Sequence, residues 1–192
     1  GLILLLGFLL RFHDLGAERV WLDEASSLKF ATPAQQDLGH PPVYYALLSA
    51  WTSVFGTSEF SMRFPSLIFG ILSILMLYVV VKQLFSRKTA LISSFLMSIS
   101  VFQIVYSQDA RSYTLLSFLT LLSAVFFIRI VRHGKVLDYL WYALTLIIAN
   151  YTHFLAILLI PASNFIFYFI LETDKKKNRK WLLSNLIIIA AI

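Results

Sequence analysis

The sequence predicts an all-α integral membrane protein. Three observations carry that expectation: long apolar runs without charge, basic clusters between those runs, and too few charged residues for a surface facing water. Of the 192 residues, 59% are hydrophobic and 14% charged, and the mean hydropathy is +0.79; a soluble domain carries about a quarter charged residues. Lipid is therefore the expected solvent for most of the chain. The net charge of +6 does not indicate nucleic acid, because the basic residues sit in short clusters between apolar runs, as the positive-inside rule places them. With no cysteine there is no disulfide framework, thiolate metal site or cysteine nucleophile.

A helix crossing a hydrocarbon core of about 30 Å needs roughly 17 to 25 mostly apolar residues. Residues 64–81, 90–106 and 112–128 each meet that requirement without a charge. Residues 1–10 read as half a span with no basic segment before it, which is unlike a signal peptide, and residues 181–192 read as the start of another. The expected organisation is one transmembrane domain over 1–192, cut at both ends. As a single helix, residues 137–171 would run to about 52 Å, too long for one crossing. The stretch is expected to go out over 137–151 and return over 154–171, turning at Asn150-Tyr151-Thr152-His153.

Lys82, Arg87 and Lys88 form one basic cluster; Arg129, Arg132 and Lys135 a second; Lys175, Lys176, Lys177, Arg179 and Lys180 a third, together 11 of the 16 basic residues. Placing these on the cytoplasmic side puts residues 11–59, 108–111 and the turn at His153 outside, with seven of the ten acids. Residues 41–55 are apolar but short for a span. Val43, Leu47, Trp51 and Val54 fall on one helical face, Ser49, Thr52 and Ser53 on the other, with proline at the start and Gly56 at the end. That pattern predicts an interfacial helix in the first outer loop.

The outer loops hold the residues that carry chemistry. The first reads Trp21-Leu22-Asp23-Glu24-Ala25-Ser26-Ser27, then Gly39-His40-Pro41-Pro42-Val43-Tyr44-Tyr45, then Phe55-Gly56-Thr57-Ser58-Glu59 on to Met62-Arg63-Phe64-Pro65-Ser66. The second reads Tyr106-Ser107-Gln108-Asp109-Ala110-Arg111-Ser112-Tyr113. This ordered set, over roughly residues 1–175, resembles glycosyltransferase family 39 and its bacterial and archaeal relatives, among them protein O-mannosyltransferases, the aminoarabinose transferase of lipid A and the RgtA/B/C/D-like enzymes.

The resemblance implies a GT-C type helical bundle in the cell membrane of a bacterium or archaeon. It also implies transfer of a sugar, with inversion, from a polyprenyl-phosphate donor to a hydroxyl of a protein, glycan or lipid acceptor at the outer face. Asp23 is then the base that takes the acceptor's proton, a role that typically contributes 10²- to 10⁴-fold, and Glu24 its neighbour in positioning acceptor or metal. Arg63 and Arg111, with His40, are the expected contacts to the donor phosphate, because a guanidinium gives two charge-assisted bonds to one phosphate.

Asp109 aligns with an acid of the second outer loop; alternatively it caps the next helix, as Arg111 alternatively pairs with Asp109. Tyr44, Tyr113 and His153 are candidate substrate contacts, the tyrosines otherwise belonging to an aromatic belt and His153 otherwise capping its turn. No soluble cofactor is implied, and a divalent metal would fall to Asp23 and Asp109. The rival reading, a polyprenyl-lipid transporter, would place ionisable residues inside the spans, and the three clear ones have none. A noncatalytic relative of the same fold is the third reading.

Overall fold

The computed structural model describes residues 1–32, 40–170 and 175–192, and among these the protein is helical with no strand. Helix α1 (Leu2–Phe12) is followed by two short helices, α2 (Leu22–Ala31) and α3 (Pro42–Phe55). The long helix α4 (Glu59–Leu84) comes next, then α5 (Arg87–Ile99), α6 (Val101–Ser107), α7 (Tyr113–His133) and α8 (Val136–Asn150). A 3₁₀ turn at Phe154–Leu158 leads into α9 (Leu159–Phe165), a π turn at Ile166–Ile170, and α10 (Lys175–Ala191). Among the described residues α4 and α7 are long and apolar enough to cross a membrane, and α5 with α6 make a third crossing if taken as one bent span. α4 packs on α5 and α7, and α7 on α8. Leu91, Phe95, Phe102, Leu140, Trp141 and Leu186 stay exposed, which suits a surface facing lipid and not water.

The span expected over residues 90–106 is not one straight helix. α5 and α6 meet at Ser100 with a bend of 60°, and the residue that stabilises the break lies at the end of α1. Arg11 is fully buried, and it donates through Nη1 to the carbonyls of Gly7 and Ser98, through Nη2 to that of Met97 and through Nε to Ser107 Oγ. The last carbonyls of a helix lack intrahelical partners, so a cation there is favourable both by hydrogen bonding and by the helix dipole. Gly70 of α4 lets this knot close: a Cβ there would sit 2.2 Å from Ser107 Oγ.

α4 begins with a similar accommodation. Pro65 lies inside the helix and has no N–H to give the carbonyl four residues back. That carbonyl, Ser61 O, accepts instead from Trp51 Nε1 at 3.0 Å, which pins α3 beside α4. Proline at its first turn starts α3, and Gly56 ends it at φ +81. Its buried seam is Tyr44 and Leu48, while Val54 is 73% exposed. The face expected from Val43, Leu47, Trp51 and Val54 is thus rotated by about one residue, because Tyr44 is drawn in by a hydrogen bond to α4.

The turn expected at 150–153 is present. Val43 N donates to Tyr151 O and Tyr151 Oη to Ala191 O, so α3, the turn and the end of α10 share one end of the bundle. At the other end Lys177 Nζ donates to Val131 O, Lys180 Nζ to Gly134 O, and Arg132 to Gln83 O. The basic clusters gather there, opposite the candidate site residues. Gly134, at φ +62, closes α7 at that end.

Candidate functional site

Two chain segments lie side by side at the end away from the basic clusters: residues 21–24, opening α2, and residues 109–111, between α6 and α7. Three hydrogen bonds join them. Trp21 Nε1 donates to Asp109 Oδ1 at 3.1 Å, Ala110 N to Glu24 Oε1 at 3.0 Å, and Arg111 Nη1 to Asp23 O at 3.2 Å. The Asp109 carboxylate is therefore held by Trp21, not used as a cap for α7, whose first residue is preceded by Ser112 with no side-chain cap bond.

Glu24 is the core of the arrangement and is fully buried. Its carboxylate receives Arg63 Nε at 2.8 Å and Nη2 at 2.7 Å, a bidentate pair. The remaining Arg63 N–H groups go to the carbonyls of Leu15, Glu18 and Arg19, so all five donors of the guanidinium are engaged by the protein. Burial pushes the Glu24 carboxyl up, but the bonds from Arg63 and Ala110 N outweigh it and hold it below the usual carboxylate range. Arg63, expected at the donor phosphate, and Glu24, expected beside the base, are instead partners in a clamp, with no free valence for a ligand.

Asp23 and Arg111 are placed differently. The Asp23 side chain is 46% exposed and its Oδ2 lies 4.0 Å from Arg111 Nη2. Arg111 pairs with Asp23, not with Asp109. Ser27 Oγ, at 3.5 Å, is its other neighbour from α2, and its guanidinium stands 5.8 Å from the Tyr113 ring centre. The Arg111 backbone is fixed from below: Ser66 Oγ donates to Arg111 O at 3.2 Å. Because that uses the one proton of Ser66, the buried Tyr44 hydroxyl, 3.3 Å from Ser66 Oγ, is the donor of the pair. Tyr44 is wholly enclosed; a side chain expected to touch substrate instead holds the loop that carries Arg111.

Tyr113 faces His153 at 5.7 Å between ring centres. His153 Nδ1 accepts from Leu155 N, so the imidazole caps its turn, and Nε2 carries its proton. Burial, and then the charge of Arg111, holds its pKa below the ordinary value, in keeping with a neutral ring that donates from Nε2. His40 stacks on Phe30 at 4.1 Å and faces Tyr45. That places it against α2 and α3. One residue of this end, Trp21, gave no signal in the sequence beyond its place in the motif. Tyr45, read with Tyr44 as a substrate contact or part of an aromatic belt, has its hydroxyl raised by burial and feels Arg111.

Two cavities flank the paired segments. One, of about 590 Å³, is lined by His13, Asp14, Glu18, Trp21, Gln108 and Asp109 together with Glu24 and Arg63 of the clamp. Asp109 is nearly buried there, and desolvation raises its pKa to about 6. The other, of about 620 Å³, is an apolar groove running past Tyr106, Tyr113, Leu155 and Leu121 to Leu77. Asp23 does not line the Asp109 cavity. Among the described residues no group of three His, Asp or Glu side chains is placed to hold a metal ion.

This arrangement of helices and loops comes with a sequence match. Residues 39–192 match the model of the dolichyl-phosphate-mannose-protein mannosyltransferase family. The chain belongs to that family. It is 27% identical over 153 residues to a protein of Bacillus subtilis (strain 168) named "Putative mannosyltransferase YkcB", covering 79% of this chain and 21% of that one. It is also 26% identical over 191 residues to an uncharacterized protein of Aquifex aeolicus (strain VF5), covering 91% of this chain and 38% of that one. The chain thus spans well under half the length of either relative. No solved structure matches it. The family match begins at residue 39 and so includes Asp109, Arg111 and His153 but not Asp23 or Glu24. The hydrogen bonds between residues 21–24 and 109–111, with the Glu24–Arg63 pair, tie that first segment to the matched region.

Proposed function

We propose that this family member is part of a GT-C type membrane glycosyltransferase that moves a sugar from a polyprenyl phosphate, undecaprenyl or dolichyl, to an acceptor hydroxyl at the outer face of a bacterial or archaeal cell membrane. The observation that carries the reading is a half-exposed carboxylate, Asp23, beside an arginine, Arg111, which itself stands against a wall of the apolar groove at Tyr113. A prenyl chain belongs in such a groove, and its phosphate then falls at Arg111, with the Nε2–H of His153 and the hydroxyl of Tyr113 as further donors. Fixed donors aimed at charge that grows on a leaving group are the largest contribution to catalysis in many enzymes. The basic end of the bundle would face the cytoplasm.

In the proposed step Asp23 takes the proton of the acceptor hydroxyl as its oxygen bonds the anomeric carbon. The bond from that carbon to the phosphate oxygen breaks on the opposite side, inverting the centre, and the electron pair leaves with the lipid phosphate toward Arg111. The donor is already activated by phosphate, so no step is assigned to a nucleotide or to a metal.

The test is transfer of labelled sugar from a polyprenyl-phosphate donor by membranes bearing the full-length protein. Asp23→Asn keeps the shape but cannot accept a proton, so turnover should fall by about 10²- to 10⁴-fold with donor binding largely kept. Near-normal transfer by Asp23→Asn would overturn the assignment and leave Asp109 as the base, since Glu24 is engaged by Arg63.

A further inference from the structure

The paired segments present their contacts in two directions. Asp23 meets Arg111 on the side of the groove, and Trp21 meets Asp109 on the side of the 590 Å³ cavity. Two residues of chain reach no more than about 7 Å, so the backbone positions that carry the two sides lie no farther apart than that.

Its lining suits a polyhydroxylated ligand. Trp21 is 52% exposed, and its ring offers an apolar platform. Asp109, more than nine-tenths buried, accepts from Trp21 through Oδ1, and its side chain makes no other hydrogen bond among the described residues. Its second oxygen is therefore available to a ligand hydroxyl. Negative charge outweighs positive in the lining, where Asp14, Glu18, Glu24 and Asp109 face the one arginine, Arg63. Asp14 and Glu18 add to Asp109, His13 is paired with Asp14 at 3.3 Å, and Arg63 is fully engaged by Glu24 and three carbonyls. A phosphate placed there would meet the carboxylates of Asp14, Glu18 and Asp109, and the one arginine in the lining is already committed to Glu24.

We infer that this cavity is the acceptor subsite and that it selects an uncharged carbohydrate, stacked on Trp21 and hydrogen-bonded to Asp109, over acceptors that bear phosphate. The inference rests on the proposed transfer reaction for the word acceptor, but the binding it requires can be measured without donor. Loss of transfer with carbohydrate binding intact would therefore count against the reaction and not against the cavity.

The experiment is equilibrium binding to the full-length protein in lipid nanodiscs of three probes: a neutral trisaccharide, the same trisaccharide carrying one phosphate, and a serine-containing tripeptide. The neutral trisaccharide should bind and the phosphorylated one should bind more weakly. Trp21→Ala should lower trisaccharide affinity about tenfold, and Trp21→Phe, which keeps a ring but loses the N–H to Asp109, should retain most of it. Neutralising the rim with Asp14→Asn and Glu18→Gln should raise affinity for the phosphorylated probe by about two- to fivefold per charge at low salt, the range of exposed ion interactions, and leave the neutral probe unchanged. Three results would overturn the inference: tighter binding of the phosphorylated probe by the unaltered protein, unchanged trisaccharide binding by both Trp21 variants, or binding of the tripeptide alone.

Discussion

Asp23 and Glu24 are adjacent acids, each facing an arginine that stands near the start of a long apolar helix, and the two pairs have opposite characters. Glu24 and Arg63 are buried, bidentate and fully saturated, with side-chain exposures of 0% and 5%. Asp23 and Arg111 are partly open at 4.0 Å, with 46% and 22%. A charge whose hydrogen-bonding positions are all filled by protein can shape a site but cannot act in it. The saturated pair fixes where residues 21–24 and 109–111 lie, and the unsaturated pair beside it keeps the freedom to bind and to exchange a proton.

The sharpest way to break that contrast is to remove one partner of the buried pair. Glu24→Ala or Arg63→Ala leaves an uncompensated buried charge, which costs about 3–5 kcal/mol, and thermal unfolding in detergent should show a loss of that order. Because Glu24 is held below its ordinary pKa, its contribution is present above the usual carboxylate range and fades as pH falls through the lowered folded value. The stability gap between the unaltered protein and Glu24→Gln should therefore narrow in acid. Arg63→Ala should lower the amount of folded protein first, and should change donor affinity per folded molecule little.

Arg111 should behave the other way. Arg111→Ala should leave the unfolding midpoint nearly unchanged and lower transition-state stabilisation by about 2–4 kcal/mol, the range for loss of one oxyanion donor, with Arg111→Lys recovering only part because a point charge lacks the planar fork. Labelled-sugar transfer at several donor concentrations reads this directly. Equal destabilisation by Arg111→Ala and Arg63→Ala would erase the distinction between the pairs.

Much of the fold was legible, for a physical reason. A charge-free apolar run of sufficient length has few alternatives in lipid, so α4 and α7 follow from composition, and the turn at His153 follows from length and from the basic clusters. The break at Ser100 was not legible, because Ser100 is an ordinary residue and the group that stabilises the bend, Arg11, is far away in sequence. The same distance hid the role of Arg63. Its position before a span marks an interfacial arginine, but nothing local shows that three carbonyls from residues 15–19 and Glu24 consume its donors. The motif does group Asp23, Glu24, Asp109 and Arg111; which acid meets which arginine is decided only by packing. Tyr44 was misread for a related reason, since a tyrosine in an amphipathic helix can face either way and only Ser66 fixes this one inward.

The smallest effect expected is also the one that separates Asp109 from both pairs. Asp109 has a hydrogen bond from Trp21 but, among the described residues, no ion pair, and burial, only partly offset by the charges of Arg111 and Arg63, raises its pKa to about 6, so the folded protein binds a proton more readily at this position than the unfolded chain does. With the folded value above the unfolded one, stability is highest below the usual carboxylate range and declines as pH rises through about 6. At pH 7.5 the ionised group costs stability, and water in the adjoining cavity keeps that cost to about 1–2 kcal/mol. Asp109→Asn keeps an acceptor for Trp21 Nε1 and removes the charge. Its unfolding midpoint should therefore exceed that of the unaltered protein at pH 7.5 and converge with it near pH 4, while any transfer that depends on the ionised carboxylate falls. A destabilised Asp109→Asn at neutral pH would show instead that the Asp109 charge is compensated in the fold, as that of Glu24 is, and that its place beside the cavity is structural.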